Sequence, residues 1–165
     1  MDDTKAVLIK AMESCFNGDI KRIDHARKVT EYAEKLLEGE GGDYFIVIGA
    51  AVLHDIGIHE AERKHGSASG KYQEIEGPPI AREILTELGF VYEQIEEICD
   101  IIAYHHSIGP MRSNGNFRIL YDADWLVNLG DEYNIQDTEK LNTIIEKVFL
   151  TKSGKSLAKK VYLST

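Results

Sequence analysis

Apolar positions along this chain recur at intervals of three and four residues rather than two. Residues 3–16 place Ala6, Val7, Ile9 and Cys15 near helical spacing, and Gly18 ends the run. A second helix is predicted from Asp19, a plausible N-cap, along the stripe Ile23, Ala26, Val29, Ala33, Leu36 and Leu37. The segment GEGG at 39–42 breaks it, and Asp43 can cap a third helix that runs through Leu53 to His54. Residues 61–74, AERKHGSASGKYQE, are polar and carry the glycines and serines of a mobile loop. Helix is expected again after Gly77-Pro78-Pro79, because proline fits a helix only in its first turn. Ile80, Ala81, Ile84, Leu85 and Leu88 form its stripe, and Gly89 suits the position just past its end. A further helix over about 91–106 turns Ile95, Ile98, Cys99, Ile101 and Ile102 inward, and 107–116 reads as a loop. FRILYDADWLVNLG at 117–130 and the pattern Leu141, Ile144, Ile145, Val148, Phe149 are helical, and the basic tail from 151 reads as a short terminal helix. No strand-like alternation is sustained, and neither an internal repeat nor a linker is visible. The expectation is one all-α domain over 1–165, a helical bundle.

Composition narrows the partners. The 165 residues carry 28 acidic and 19 basic side chains, a net charge of −9. No extended nucleic-acid surface or anionic-membrane surface is implied. A negatively charged substrate must be attracted locally, by a few cations or a bound metal. Cys15 and Cys99 lack CxxC spacing and sit on apolar helical stripes, so both are expected to be reduced core thiols. The N-terminal MDDTKAVLIK is too short and polar for a signal peptide, and no apolar run reaches membrane-spanning length. A soluble, cytoplasmic protein with no membrane partner is expected, its oligomeric state open.

The stretch GAAVLHDIGIHE at 49–60 raises the chemical question. An apolar run leads directly into His54-Asp55, where desolvation would penalise any charge that lacks a partner. His25 lies four residues before Val29 and eight before Ala33, on the inward stripe of its helix. His105 follows Ile98 and Ile101 by seven and four, and Asp124 follows Leu120 by four. Four helices therefore aim an imidazole or carboxylate inward. One inward histidine is usually a hydrogen-bonded core residue. Four convergent positions with a contiguous His-Asp pair are hard to satisfy by hydrogen bonds alone, whereas a metal satisfies them together. Imidazole and carboxylate without thiolate favour Fe, Mn, Co, Ni or Mg.

The order His25, then His54-Asp55, then Asp124 resembles the H…HD…D signature of the HD superfamily of metal-dependent phosphohydrolases. The words HARKVTEYAEKL, AAVLHDIG and ILYDADWL match its first-helix, signature-helix and closing segments in order and spacing, across about residues 20–130. The resemblance implies an all-α fold in which His25, His54, Asp55 and Asp124 bind one divalent metal. Members with more metals add histidines between HD and the last aspartate. Here IIAYHH supplies His105 and His106, and EGPPIAREIL puts Glu76 where histidine is common. Glu76 reads either as a ligand of a second metal or as a helix-start glutamate. His106, about 100° around the helix from His105, reads as a ligand, a substrate contact or a surface residue. Asp122 is turned away from the face of Asp124.

Relatives that cleave phosphodiesters often carry lysine shortly after HDIG, where this chain has Ile58. Replacement cations are Arg63, Lys64 and Lys71 in the polar loop, and Arg22 or Arg27 beside His25. Lys71 is favoured among the loop residues, since its loop lies between ligand-bearing segments and can close as a lid. His54 and Asp55 are then the catalytic pair, with Lys71 and Arg22 as substrate contacts. One or two divalent ions, with Asp55 bridging the pair, would activate water and neutralise phosphoryl charge. The favoured expectation is hydrolysis of a small phosphorylated substrate such as a nucleotide. The alternatives are an HD-type di-iron oxygenase and a non-catalytic helical signalling module.

Overall fold

Asp19 and Asp43 begin helices for the reason the sequence suggests. Each carboxylate accepts a hydrogen bond from the backbone N–H three residues on, that of Arg22 and Ile46, satisfying a donor the helix leaves orphaned. The computed structural model describes residues 2–133 and 136–163, so the extreme ends of the expected 1–165 domain lie outside the described residues. Helix α1 spans Asp2–Phe16, α2 Ile20–Glu40, α3 Tyr44–Leu53, α4 Ile58–His65 and α5 Gly70–Glu87. Then come α6 (Tyr92–Tyr104), a short 3-10 turn (Gly109–Ser113), α7 (Gly115–Glu132), α8 (Thr138–Val148) and α9 (Lys152–Tyr162). No strand occurs among the described residues. The fold is all-α.

Helix α3 is the centre of the bundle. Every residue from Ile46 to Leu53 is buried, because α1, α2, α6 and α7 all pack around it. That explains an apolar run without an amphipathic stripe. Among the described residues no single helix is long and apolar enough to cross a membrane.

Several expectations are corrected. The buried stripe of α1 is Leu8, Met12 and Phe16, at strict four-residue steps, which leaves Val7 and Cys15 exposed. Cys15 is therefore no core thiol, whereas Cys99 is buried and donates its S–H toward the Pro78 carbonyl oxygen at 3.5 Å. Helix α2 runs through Gly39 to Glu40, and Gly41, at φ 72°, ends it. The polar stretch 61–74 is mostly helix, interrupted only between His65 and Gly70. Its apolar signal is weak because α4 buries only Ile58 and Ala61.

Helix α5 begins before the prolines and carries Pro78 and Pro79 in its interior. Without N–H groups the prolines leave the carbonyls of Glu74 and Ile75 without their helical partners. Gly77, preceding Pro78, has no Cβ to strike the pyrrolidine ring. Packing against both α4 and α6 holds the helix through this defect. Gly77 also meets Gly57 at close range, for a Cβ on Gly57 would lie 2.5 Å from the Gly77 nitrogen. This contact draws α5 against the turn that carries His54 and Asp55.

Asp122 serves the fold, as its offset from Asp124 suggests. Its carboxylate accepts hydrogen bonds from the Leu150 N–H at 2.9 Å and from the Thr151 N–H and hydroxyl at 2.8 and 2.6 Å. Burial nevertheless pushes its carboxyl up to about 6. It fastens the α8–α9 connection onto α7.

Candidate metal centre

Two of the histidines are built by the same local device. His54 and His105 each follow the last residue of a helix, α3 and α6. Each Nδ1–H donates to a carbonyl oxygen in the last turn of its helix, that of Ala51 at 2.8 Å and of Ile102 at 2.7 Å, the latter also accepting the His105 backbone N–H. The hydrogen bond fixes the tautomer and turns both Nε2 atoms inward. His25 comes from the second turn of α2, Asp55 from the turn after α3, and Asp124 from the middle of α7.

These groups converge. His25 Nε2 lies 3.0 Å from Asp124 Oδ1, 3.3 Å from His54 Nε2 and 3.4 Å from Asp55 Oδ2. His54 Nε2 is 3.4 Å from Asp55 Oδ2 and 3.3 Å from Asp124 Oδ1. The other oxygen of Asp55, Oδ1, lies 3.4 Å from His105 Nε2. Burial opposes the charged form of His54, but the Asp55 and Asp124 carboxylates outweigh it and hold the imidazole well above its ordinary range. Asp55 and Asp124 are likewise held well below the usual carboxylate range, their burial overcome by His54 and by His105 or His25.

Among the described residues two groups could hold a metal ion, His25–His54–Asp55 and Asp55–His105–His106, and Asp55 belongs to both. Asp124 adjoins the first through the contacts above. One observation argues for a cation rather than a hydrogen-bonded core: His105 Nε2 is buried and makes no hydrogen bond. A lone pair so desolvated calls for an electrophile. Imidazole and carboxylate without thiolate suit a divalent ion such as Fe, Mn, Co, Ni or Mg. The residues fit the group.

Glu76 does not join either group. Its oxygens pair with Lys64 Nζ at 3.1 Å and His65 Nε2 at 2.9 Å, and these contacts, led by His65, lower its carboxyl despite burial. One turn earlier on α5, Gln73 lines the cleft beside His106 instead. Gln73 Nε2 donates to the Ala68 carbonyl oxygen at 2.7 Å, so its Oε1 faces His106 Nε2 at 3.0 Å. That arrangement makes His106 Nε2 the donor and leaves Nδ1 as the acceptor. Glu74 holds the same segment by accepting from the His106 N–H and the Ser107 hydroxyl. Gln73 gave no sequence signal, since only the packing of α5 on α6 brings it to the site.

An open cleft of about 720 Å³ exposes the centre to solvent. Lys21, Arg22 and Lys28 line it from α2, with His25 among them. Their wall was legible, because residues 21, 25 and 28 share one helix face. Arg22 also approaches Asp19 at 3.7 Å. Lys71 is not in the lining; its Nζ lies over its neighbour Tyr72, 4.8 Å from the ring centroid. The expected lid is therefore absent among the described residues, its segment being helices α4 and α5. Arg63 pairs with Glu60 and Arg27 with Glu13, away from the cleft lining.

The family model described as HD domain matches residues 22–129, which spans every member of both groups. No curated protein and no solved structure matches the chain.

Proposed function

Because this chain belongs to the HD-domain family, we propose that it is a metal-dependent phosphohydrolase whose substrate is a small phosphate ester such as a nucleotide. HD domains bind divalent metals and are typically phosphohydrolases. The observation that carries the reading is Asp55, whose two oxygens face two separate histidine groups across one open cleft. His25, His54, Asp55 and Asp124 would hold one ion, and Asp55, His105 and His106 a second. Bound there, the metal would supply a nucleophile near neutral pH and charge to balance the phosphoryl oxygens.

The chain's own residues do the rest. The carbonyls of Ala51 and Ile102 keep the His54 and His105 lone pairs aimed at one point. Gln73 performs the same task for His106. Lys21, Arg22 and Lys28 stand along one wall, where each can donate a charge-assisted hydrogen bond to a phosphoryl oxygen. The lining also carries Asp24, Asp131 and Glu132, so the charge of the phosphoryl group would be balanced chiefly at the metal centre, with these three cations as donors beside it.

Elemental analysis of the purified protein, combined with a phosphate-release screen over nucleotides and sugar phosphates, tests the reading. Metal-dependent phosphate release is expected, and Asp55→Ala should lose bound metal and turnover together. A metal-loaded protein that releases phosphate from no ester but turns over with oxygen would overturn it in favour of the di-iron oxygenase.

A further inference from the structure

The histidines of the centre are not held alike. His54 and His105 are each fixed from their own helix, Nδ1–H donating to the carbonyl three residues before and Nε2 turned inward. His106 is fixed from a different helix. Its backbone N–H donates to the Glu74 carboxylate at 3.0 Å, and its Nε2 faces Gln73 Oε1 at 3.0 Å. Its ring also lies against the first residue of α5. A Cβ on Gly70 would sit 2.8 Å from the His106 Cγ and 2.9 Å from its Cβ, so only a glycine lets the ring approach this closely. Three residues of one α5 segment therefore meet His106 at its ring carbons, its Nε2 and its backbone.

Gln73 decides which nitrogen is left over. Its side chain is buried, and its Nε2 donates to the Ala68 carbonyl oxygen at 2.7 Å, in the break between α4 and α5. That bond settles which end of the amide meets His106. An amide oxygen only accepts, so the neutral imidazole presents Nε2–H to it and keeps its lone pair on Nδ1. The relay runs from the Ala68 carbonyl through the Gln73 amide to the ring. A group behind a ligating imidazole fixes its tautomer and raises its basicity, and a neutral amide does the second less than a carboxylate would. The His106 half of the centre is thus the more loosely supported one, and its support lies in the α4–α5 connection.

We propose that Gln73 is the positioning residue of the second-ion half: it makes His106 offer Nδ1 rather than Nε2, so that filling of this half depends on how the start of α5 docks on the end of α6. The proposal rests on the two-ion reading of the centre and not on the reaction performed there.

Two measurements on the full chain test it, and neither needs turnover. NMR spectra of the imidazole nitrogens in chelator are expected to show Nε2–H and a bare Nδ1 at His106. This pattern should be lost in Gln73→Leu and kept in Gln73→Glu, which retains an acceptor, and the same spectra report whether each variant is folded. On addition of cadmium, a diamagnetic probe, the His106 nitrogen that shifts should be Nδ1. The second measurement is calorimetric titration with cobalt, expected to fill two sites in the wild-type chain. Gln73→Leu should weaken the second site about 10–100-fold and leave the first unmoved, and Gln73→Glu should restore it. General loosening of α5 would not be reversed by a carboxylate at this one position. A cadmium shift at His106 Nε2 would overturn the proposal, as would a second site and a His106 tautomer both unmoved in Gln73→Leu. A single cobalt site in wild type, with the His106 tautomer still dependent on Gln73, would instead overturn the two-ion reading and keep Gln73 as the residue that orients the ring.

Discussion

Asp55 presents its Oδ1 to His105 at 3.4 Å and its Oδ2 to His25 and His54 at the same distance. One carboxylate thus touches every histidine whose Nε2 is turned inward, and His105 depends on it more than His54 does. His54 also has Asp124 within 3.3 Å, whereas His105 Nε2 has no hydrogen bond. The two halves of the centre should therefore be separable by mutation.

His105→Ala is expected to reduce bound metal from about two ions per chain to about one, since His25, His54, Asp55 and Asp124 remain. Turnover should fall by orders of magnitude with it. Glu76→Ala should retain the full metal content, because its oxygens serve Lys64 and His65. It should instead lower the unfolding midpoint in chelator by loosening α4 from α5. Elemental analysis of both variants decides the matter: metal loss in Glu76→Ala with none in His105→Ala would reverse the assignment.

Gly57→Ala is expected to destabilise the protein by about 1–3 kcal/mol. Its φ of −83° suits any residue, so backbone strain is not the cause. The added Cβ would lie 2.5 Å from the Gly77 nitrogen and 2.8 Å from its Cα, and backbone atoms cannot rotate aside as a side chain can. Urea unfolding of the chelator-treated protein measures this, and a neutral result would mean α5 is free to shift.

Tyr162 donates a hydrogen bond to the Leu126 carbonyl oxygen. Burial, with Tyr32 beside it, pushes its phenol from 10.0 up to about 12. The fold thus favours the protonated form. Its contribution is complete below pH 10 and is lost as pH rises toward about 12. Over that window wild-type protein should lose on the order of 1 kcal/mol more stability than Tyr162→Phe, allowing for solvent screening of a half-exposed ring. Parallel stability profiles of the two proteins would show that the phenol titrates freely.

The sequence by itself determined the helical class and the inward faces of His25, His54 and Asp124, because both follow from short-range spacing. Periodicity of three and four, the caps at Asp19 and Asp43, and the unbroken apolar run of α3 are local properties. The three words around the H…HD…D order were legible for the same reason. Tertiary structure decided what depends on packing between helices. Because α5 begins at Gly70 rather than after Pro79, residues 73 and 76 lie on consecutive turns of one helix instead of in a loop, and each meets what packs beside its own turn. Local rules place the start after the prolines; contacts with α4 and α6 override them. That shift directs Glu76 to Lys64 and His65, and Gln73 to His106. Cys15 is exposed for a related reason, because the partners of α1 select the stripe through Leu8 rather than its neighbour. The cavity between Tyr32 and Tyr162 joins residues 130 positions apart in the chain, a relation that exists only once α9 has packed on α7.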